Sequence, residues 1–275
     1  MGFIKIRVPH PKGDYLTGIL EYDGDAPPAN SAVALILHGV NAHKNQLFHK
    51  PLAAKMAAKG LPSFRFDFRA NHESPGTWYQ GNLGDDVEDL GVAIQYLKCT
   101  YGMWPKLLIG HSRGSITALI YQCKVAPVPL FINLSGRYRM EKFKDLWMPI
   151  AKESFEKEGK FVRTYNIAGQ KVTRTLTHKD MMDFASIDLS FVKTQFPKHT
   201  NVLTIHGTVD EAVSVKDASI YAEILSRRNP GTHDLYLVDG GSHNYTGKKD
   251  EVVDTILTWL DIQQNNDKHR FTSKL

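Results

Sequence analysis

Apolar residues along this chain fall into two alternating patterns. Continuous or nearly continuous apolar runs occur at 32–37 (AVALIL), 106–110 (KLLIG), 130–135 (LFINLS), 201–206 (NVLTIH) and 233–238 (HDLYLV). Such runs suit strands buried on both faces of a sheet. Between them lie longer stretches with apolar residues at helical spacing. From Asp85 onward, Val87, Leu90, Ile94 and Leu97 make a single stripe. Ile116, Leu119, Ile120 and Cys123 do the same within 115–125. Further helices are predicted at 46–59, with Gly60 as C-cap, at 216–226 and at 250–263. At the N-terminus, FIKIRV and YLTGILEY predict two strands joined by a turn at Pro11-Lys12-Gly13-Asp14. SFRFDF predicts another strand, followed by the polar loop RANHESPGTWYQGN.

Strands alternating with helices imply a mostly parallel sheet with helices on both faces. Residues 137–196 break this rhythm: they are rich in Lys, Arg, Phe and Met, and FVRTYNIAGQKVTRTL predicts a hairpin turning at Ala168-Gly169. The expected organisation is an α/β core from 1–136 and 197–268, a cap inserted at 137–196, and a tail at 269–275. The chain shows no internal repeat.

Composition narrows the function classes. The 275 residues are 42% hydrophobic and 23% charged, as in a globular protein with a sizeable core. The net charge of +5 is spread without long basic runs, so nothing points to a nucleic-acid surface. No apolar stretch approaches the ~20 residues of a membrane span. Two cysteines, Cys99 and Cys123, make no disulfide framework, which predicts a reducing compartment. No histidine–cysteine cluster has zinc spacing and no glycine pattern marks a dinucleotide site, so neither a metal nor a cofactor is expected. The acidic residues Asp85, Asp86, Glu88 and Asp89 suit a helix N-terminus better than a metal site.

The chemistry centres on Gly110-His111-Ser112-Arg113-Gly114. Its G-x-S-x-G form arises by chance in about one sequence of this length in ten, so context decides its meaning. Here an apolar strand precedes it and a helix follows, the setting of a nucleophile elbow. A neutral serine needs a base, and the base needs an orienting carboxylate. Asp210 follows the strand NVLTIH, and His243 follows HDLYLV and precedes the last helix. Both therefore lie where ligands meet open α/β sheets, in the chain order Ser, Asp, His. His111 is expected to serve the elbow's structure. Arg113 places a cation at a helix N-terminus, against the dipole. One reading pairs it with an acidic neighbour such as Asp67; another groups it with Arg137 and Arg139 at the cap entrance, selecting an anionic acyl donor.

Together, HGVNAHKNQ, FRFDFRANHESPG, GHSRG, HGTVDEAV and GGSHNY resemble the serine α/β-hydrolase superfamily. They are most similar to its cinnamoyl/feruloyl-esterase and monoacylglycerol-lipase-like branch. The resemblance implies an α/β-hydrolase fold, a catalytic Ser112–His243–Asp210 triad, and oxyanion donors at the backbone N–H groups of Val40 and Arg113. Three positions depart from the pattern: Val40 stands where an aromatic residue is common, Arg113 where Gln is common, and Ser115 where a second Gly is common. The expected reaction is hydrolysis of a carboxylic ester through an acyl-enzyme. The alternatives are an acyl-CoA thioesterase and a non-catalytic binder on the same fold. Ser273-Lys274-Leu275 matches the address read by a peroxisomal import receptor, so a peroxisomal location is expected, with the cytoplasm as alternative. The partner is a small acyl ester or thioester; the oligomeric state is left open.

Overall fold

In the computed structural model, which describes residues 1–12 and 14–264, ten strands and eight helices follow one another along the chain. The strands are β1 (Gly2–Pro9), β2 (Tyr15–Tyr22), β3 (Ala32–Leu37), β4 (Ser63–Phe66), β5 (Trp104–His111), β6 (Leu130–Leu134), β7 (Lys160–Ile167), β8 (Gln170–Thr177), β9 (Asn201–Gly207) and β10 (His233–Val238). Eight of them form one sheet in the order β1-β2-β4-β3-β5-β6-β9-β10. The β1–β2 and β2–β4 pairs are antiparallel and every pair from β4 to β10 is parallel.

The helices are α1 (His49–Ala58), α2 (Leu83–Tyr101), α3 (Arg113–Lys124), α4 (Lys142–Glu158), α5 (His178–Ala185), α6 (Val192–Gln195), α7 (Lys216–Leu225) and α8 (Lys249–Gln264). Alternate residues of each central strand serve opposite cores. Leu35 and Leu37 of β3 pack with Leu90, Leu97 and Leu119 of α2 and α3. Ala34 and Ile36 pack with Leu52 of α1 and Ile256 and Trp259 of α8. This double burial is why AVALIL carries no polar alternation.

Element boundaries differ from the sequence expectation where capping decides them. α2 begins at Leu83, because the Asn82 side chain accepts the Asp85 N–H at 3.3 Å. α3 starts directly after Ser112, not at Ser115. α1 begins three residues late, because Gln46 and His49 close a separate turn through His49 N–H to Gln46 O.

Between β6 and β9 the chain leaves the sheet to build α4, the β7–β8 hairpin, α5 and α6. The hairpin turns through Ala168 and Gly169, with φ of 52° and 82°. Positive φ at both central residues is what a two-residue type I′ loop requires. The sequence reading missed α4, whose surface is largely polar and which buries only Phe143 and Ala151. It also missed α5, which a Thr177/Asp180 capping box starts. Arg174 of β8 donates to the Ala70 carbonyl at 2.7 Å, fastening the inserted segment to the loop after β4. No helix among the described residues is long and apolar enough to cross a membrane. Ser273, Lys274 and Leu275 lie outside the described residues.

Candidate active site

The C-terminal ends of the parallel strands bring three distant residues together. Ser112 sits between β5 and α3 with φ 53° and ψ −116°, a conformation that costs energy for a residue with a side chain. Two glycines permit the turn. A Cβ on Gly110 would lie 2.5 Å from Ser115 Cα, and one on Gly114 would lie 2.6 Å from the Leu37 carbonyl oxygen. Both obstacles are backbone, so neither position admits a side chain without displacing α3 or the end of β3.

Ser112 Oγ lies 3.0 Å from His243 Nε2, and His243 Nδ1 lies 2.8 and 3.0 Å from the two carboxylate oxygens of Asp210. Asp210 follows β9 and its side chain is fully buried, while that of His243 is 13% exposed. The Asp210 Oδ1 atom accepts the N–H groups of Ala212 and Val213 at 2.9 and 2.7 Å. Burial opposes the Asp210 charge, yet hydrogen bonds from His206, His243 and Val213 hold its carboxyl well below the usual carboxylate range. Because Asp210 is thus an acceptor, the Nδ1–H of His243 points to it and Nε2 is left to receive the serine proton.

Supporting groups hold this chain in place. His111 donates its Nε2–H to the His243 carbonyl at 2.9 Å. Burial, with the neighbouring His243, pushes the His111 imidazole down to about 3, so it stays neutral. Glu211 accepts the His243 backbone N–H at 3.1 Å. On the other side, His38 accepts the Phe68 N–H at 3.1 Å through Nε2 and donates Nδ1–H to the Gly39 carbonyl at 2.8 Å. That fixes the loop after β3, where a Cβ on Gly39 would come 3.3 Å from Ser112 Cβ. Val40, the next residue, is 37% exposed and lines a cleft of about 380 Å³ with His38, Trp78 and Arg113. The Arg113 N–H, at the first position of α3, has no intrahelical acceptor. The supporting role of His38 escaped the sequence reading; a His directly after the β3 run was its only signal.

The three arginines expected to bind an acyl anion are each engaged by the protein itself. Arg113 is 8% exposed and lies 2.6 Å from Asp86, with further hydrogen bonds to the carbonyls of Gln80 and Asn82. The expected partner Asp67 is instead taken by Lys44 at 2.5 Å. Arg139 pairs with buried Asp217 at 2.7 Å. Arg137 is buried and donates to the Ala212 carbonyl, with the Asp217 and Asp210 charges nearby. The acidic N-terminal part of α2 likewise does more than complement the dipole. Asp86 meets Arg113, and Asp85, Glu88 and Asp89 surround Arg69.

Among the described residues, Asp67, His72 and Glu73 approach one another closely enough to suggest a metal site. The Lys44 ammonium already sits against both carboxylates and supplies the positive charge there.

Comparison with known proteins agrees with this architecture. The family model described as serine aminopeptidase, S33, matches residues 28–182, more than half of the chain. The uncharacterized protein YDL057W of Saccharomyces cerevisiae is 27% identical, covering 82% of this chain and 72% of its own. Among solved structures, Est1E from Butyrivibrio proteoclasticus with ferulic acid bound superposes with a TM-score of 0.74 at 16% identity, covering 95% of this chain and 99% of that one. The Pyrococcus furiosus esterase Pf2001 gives a TM-score of 0.70 at 18% identity, covering 94% of this chain and 91% of the other.

Proposed function

We propose that this chain, which belongs to the serine aminopeptidase S33 family of α/β hydrolases, hydrolyses a carboxylic ester with Ser112 as nucleophile. The observation that carries the reading is the continuous hydrogen-bonded chain from Ser112 through His243 to Asp210. His243 Nε2 takes the Ser112 proton as Oγ bonds to the acyl carbon. The carbonyl oxygen then gains the electron pair and is met by the N–H groups of Arg113 and Val40. Collapse expels the alcohol, which leaves with the proton from His243. Water, activated by the same imidazole, releases the acid and restores Ser112. Asp210 keeps Nδ1–H in place and stabilises the imidazolium. That Est1E binds ferulic acid and that Pf2001 is an esterase supports an ester over an amide as substrate.

Turnover of 4-nitrophenyl esters by the wild type, lost in Ser112→Ala, tests the reading; equal turnover by the two proteins would refute it. A second reading, acyl-CoA thioester hydrolysis by the same residues, draws its support from Ser273-Lys274-Leu275, on which peroxisomal import is also proposed. Parallel assays on acyl-CoA and oxygen esters separate the two reactions. A fluorescent fusion with and without the tripeptide tests import.

A further inference from the structure

A second cleft, of about 410 Å³, opens from the same Val40 and Trp78 that line the first and runs beneath the inserted segment. Trp147, Phe161 and Tyr165 provide aromatic walls, and two cations, Arg163 of β7 and Arg174 of β8, stand among them. Arg163 lies over the rings of Trp147 and Tyr165 at 5.5 and 5.4 Å. Arg174 lies over Trp78 at 5.1 Å.

These two arginines differ from those at the candidate triad. Arg113 and Arg139 each meet a carboxylate, and Arg137 has the Asp217 and Asp210 charges nearby, whereas neither Arg163 nor Arg174 makes an ion pair among the described residues. Arg174 donates to the Ala70 carbonyl, yet its Nε is buried with no acceptor. Arg174 is half-buried, and such a cation without a counter-charge is costly to keep, a cost that an anionic ligand relieves; Arg163, which is exposed, adds a second cation to the same cleft. The aromatic faces beside them orient both guanidiniums without neutralising them.

We propose that Arg163 and Arg174 make this cleft selective for esters carrying a carboxylate, which binds against the two guanidiniums while the ester carbonyl reaches Ser112 past Val40. The inference rests on the ester-hydrolase reading and assigns its substrate class. It also moves anion recognition from Arg113, Arg137 and Arg139 to the hairpin of the inserted segment.

The test compares kcat/KM for two matched pairs. One pair carries the charge on the acyl group (the 4-nitrophenyl monoester of glutaric acid against 4-nitrophenyl butyrate). The other carries it on the leaving group (4-acetoxybenzoate against its methyl ester). The wild type is expected to favour the anionic member of at least one pair. In Arg163→Gln/Arg174→Gln that preference falls by about 10- to 100-fold, the range for a lost charge-assisted hydrogen bond. The Lys replacements at both positions retain part of the preference. If the double variant also loses neutral turnover, the same ratio is read in the two single Gln variants. An anionic-to-neutral ratio in both pairs that is unmoved by the Gln variants would overturn the proposal. A wild type that cleaves none of the four esters would overturn the ester-hydrolase reading beneath it.

Discussion

Replacing Arg113 by Gln separates a structural arginine from a substrate-binding one. Arg113 and Asp86 are 8% and 6% exposed, and Nε and Oδ2 are 2.6 Å apart. Two further N–H bonds, at 2.6 and 3.0 Å, hold the carbonyls of Gln80 and Asn82. Removing the cation leaves a buried carboxylate uncompensated, at a cost of about 3–5 kcal/mol. For a chain of this size about 2 °C of melting temperature is lost per kcal/mol, so Arg113→Gln is expected to lower Tm by about 6–10 °C. Asp86→Asn alone is expected to cost a comparable amount, and the double variant less than the sum, because each change removes the other's unpaired charge. Thermal unfolding followed by near-ultraviolet circular dichroism measures all three. Since the Arg113 N–H belongs to the backbone, the folded variant keeps its ester turnover and its anionic-to-neutral ratio. A Tm within 2 °C of wild type, strict additivity of the pair, or a collapsed anionic preference would each refute the structural assignment of this residue.

Two more outcomes follow from the elbow. Gly114→Ala would gain about 1 kcal/mol from helix propensity, but its Cβ would press on the Leu37 and His38 carbonyls, so both stability and kcat are expected to fall. A more stable, fully active Gly114→Ala variant would show that the elbow tolerates a side chain. His111 is held neutral with its folded value depressed to about 3, against 6.5 for the unfolded chain. The unfolded state therefore binds the extra proton between those values. Stability from this residue is complete above pH 6.5 and is lost as pH falls toward 3, at up to about 1.4 kcal/mol per pH unit. In urea titrations from pH 7 to 4.5, His111→Gln is expected to lose less stability than wild type; equal slopes would exclude this role.

The parts of the molecule legible in the sequence are those governed by local pattern. AVALIL and LFINLS announce strands because burial on both faces removes polar alternation, and the glycines around Ser112 mark a turn that no side chain permits. Pairings set by tertiary contact were not legible. Arg113 meets Asp86 because α2 and α3 pack side by side, a neighbourhood that no spacing along the chain encodes. α4 was hidden because a helix that buries two residues leaves almost no apolar stripe, and Pro149 interrupts what remains. The hairpin was visible as a turn, but that Arg163 and Arg174 lack a carboxylate partner among the described residues emerges only when the segment folds over Trp78.

The central claim, that Ser112 is the nucleophile activated by His243, is tested most directly by covalent labelling with a fluorophosphonate followed by intact-mass measurement and peptide mapping. The account predicts one adduct per chain, located on Ser112, absent in Ser112→Ala and formed far more slowly in His243→Ala. An adduct on another residue, or undiminished labelling of Ser112→Ala, would contradict it.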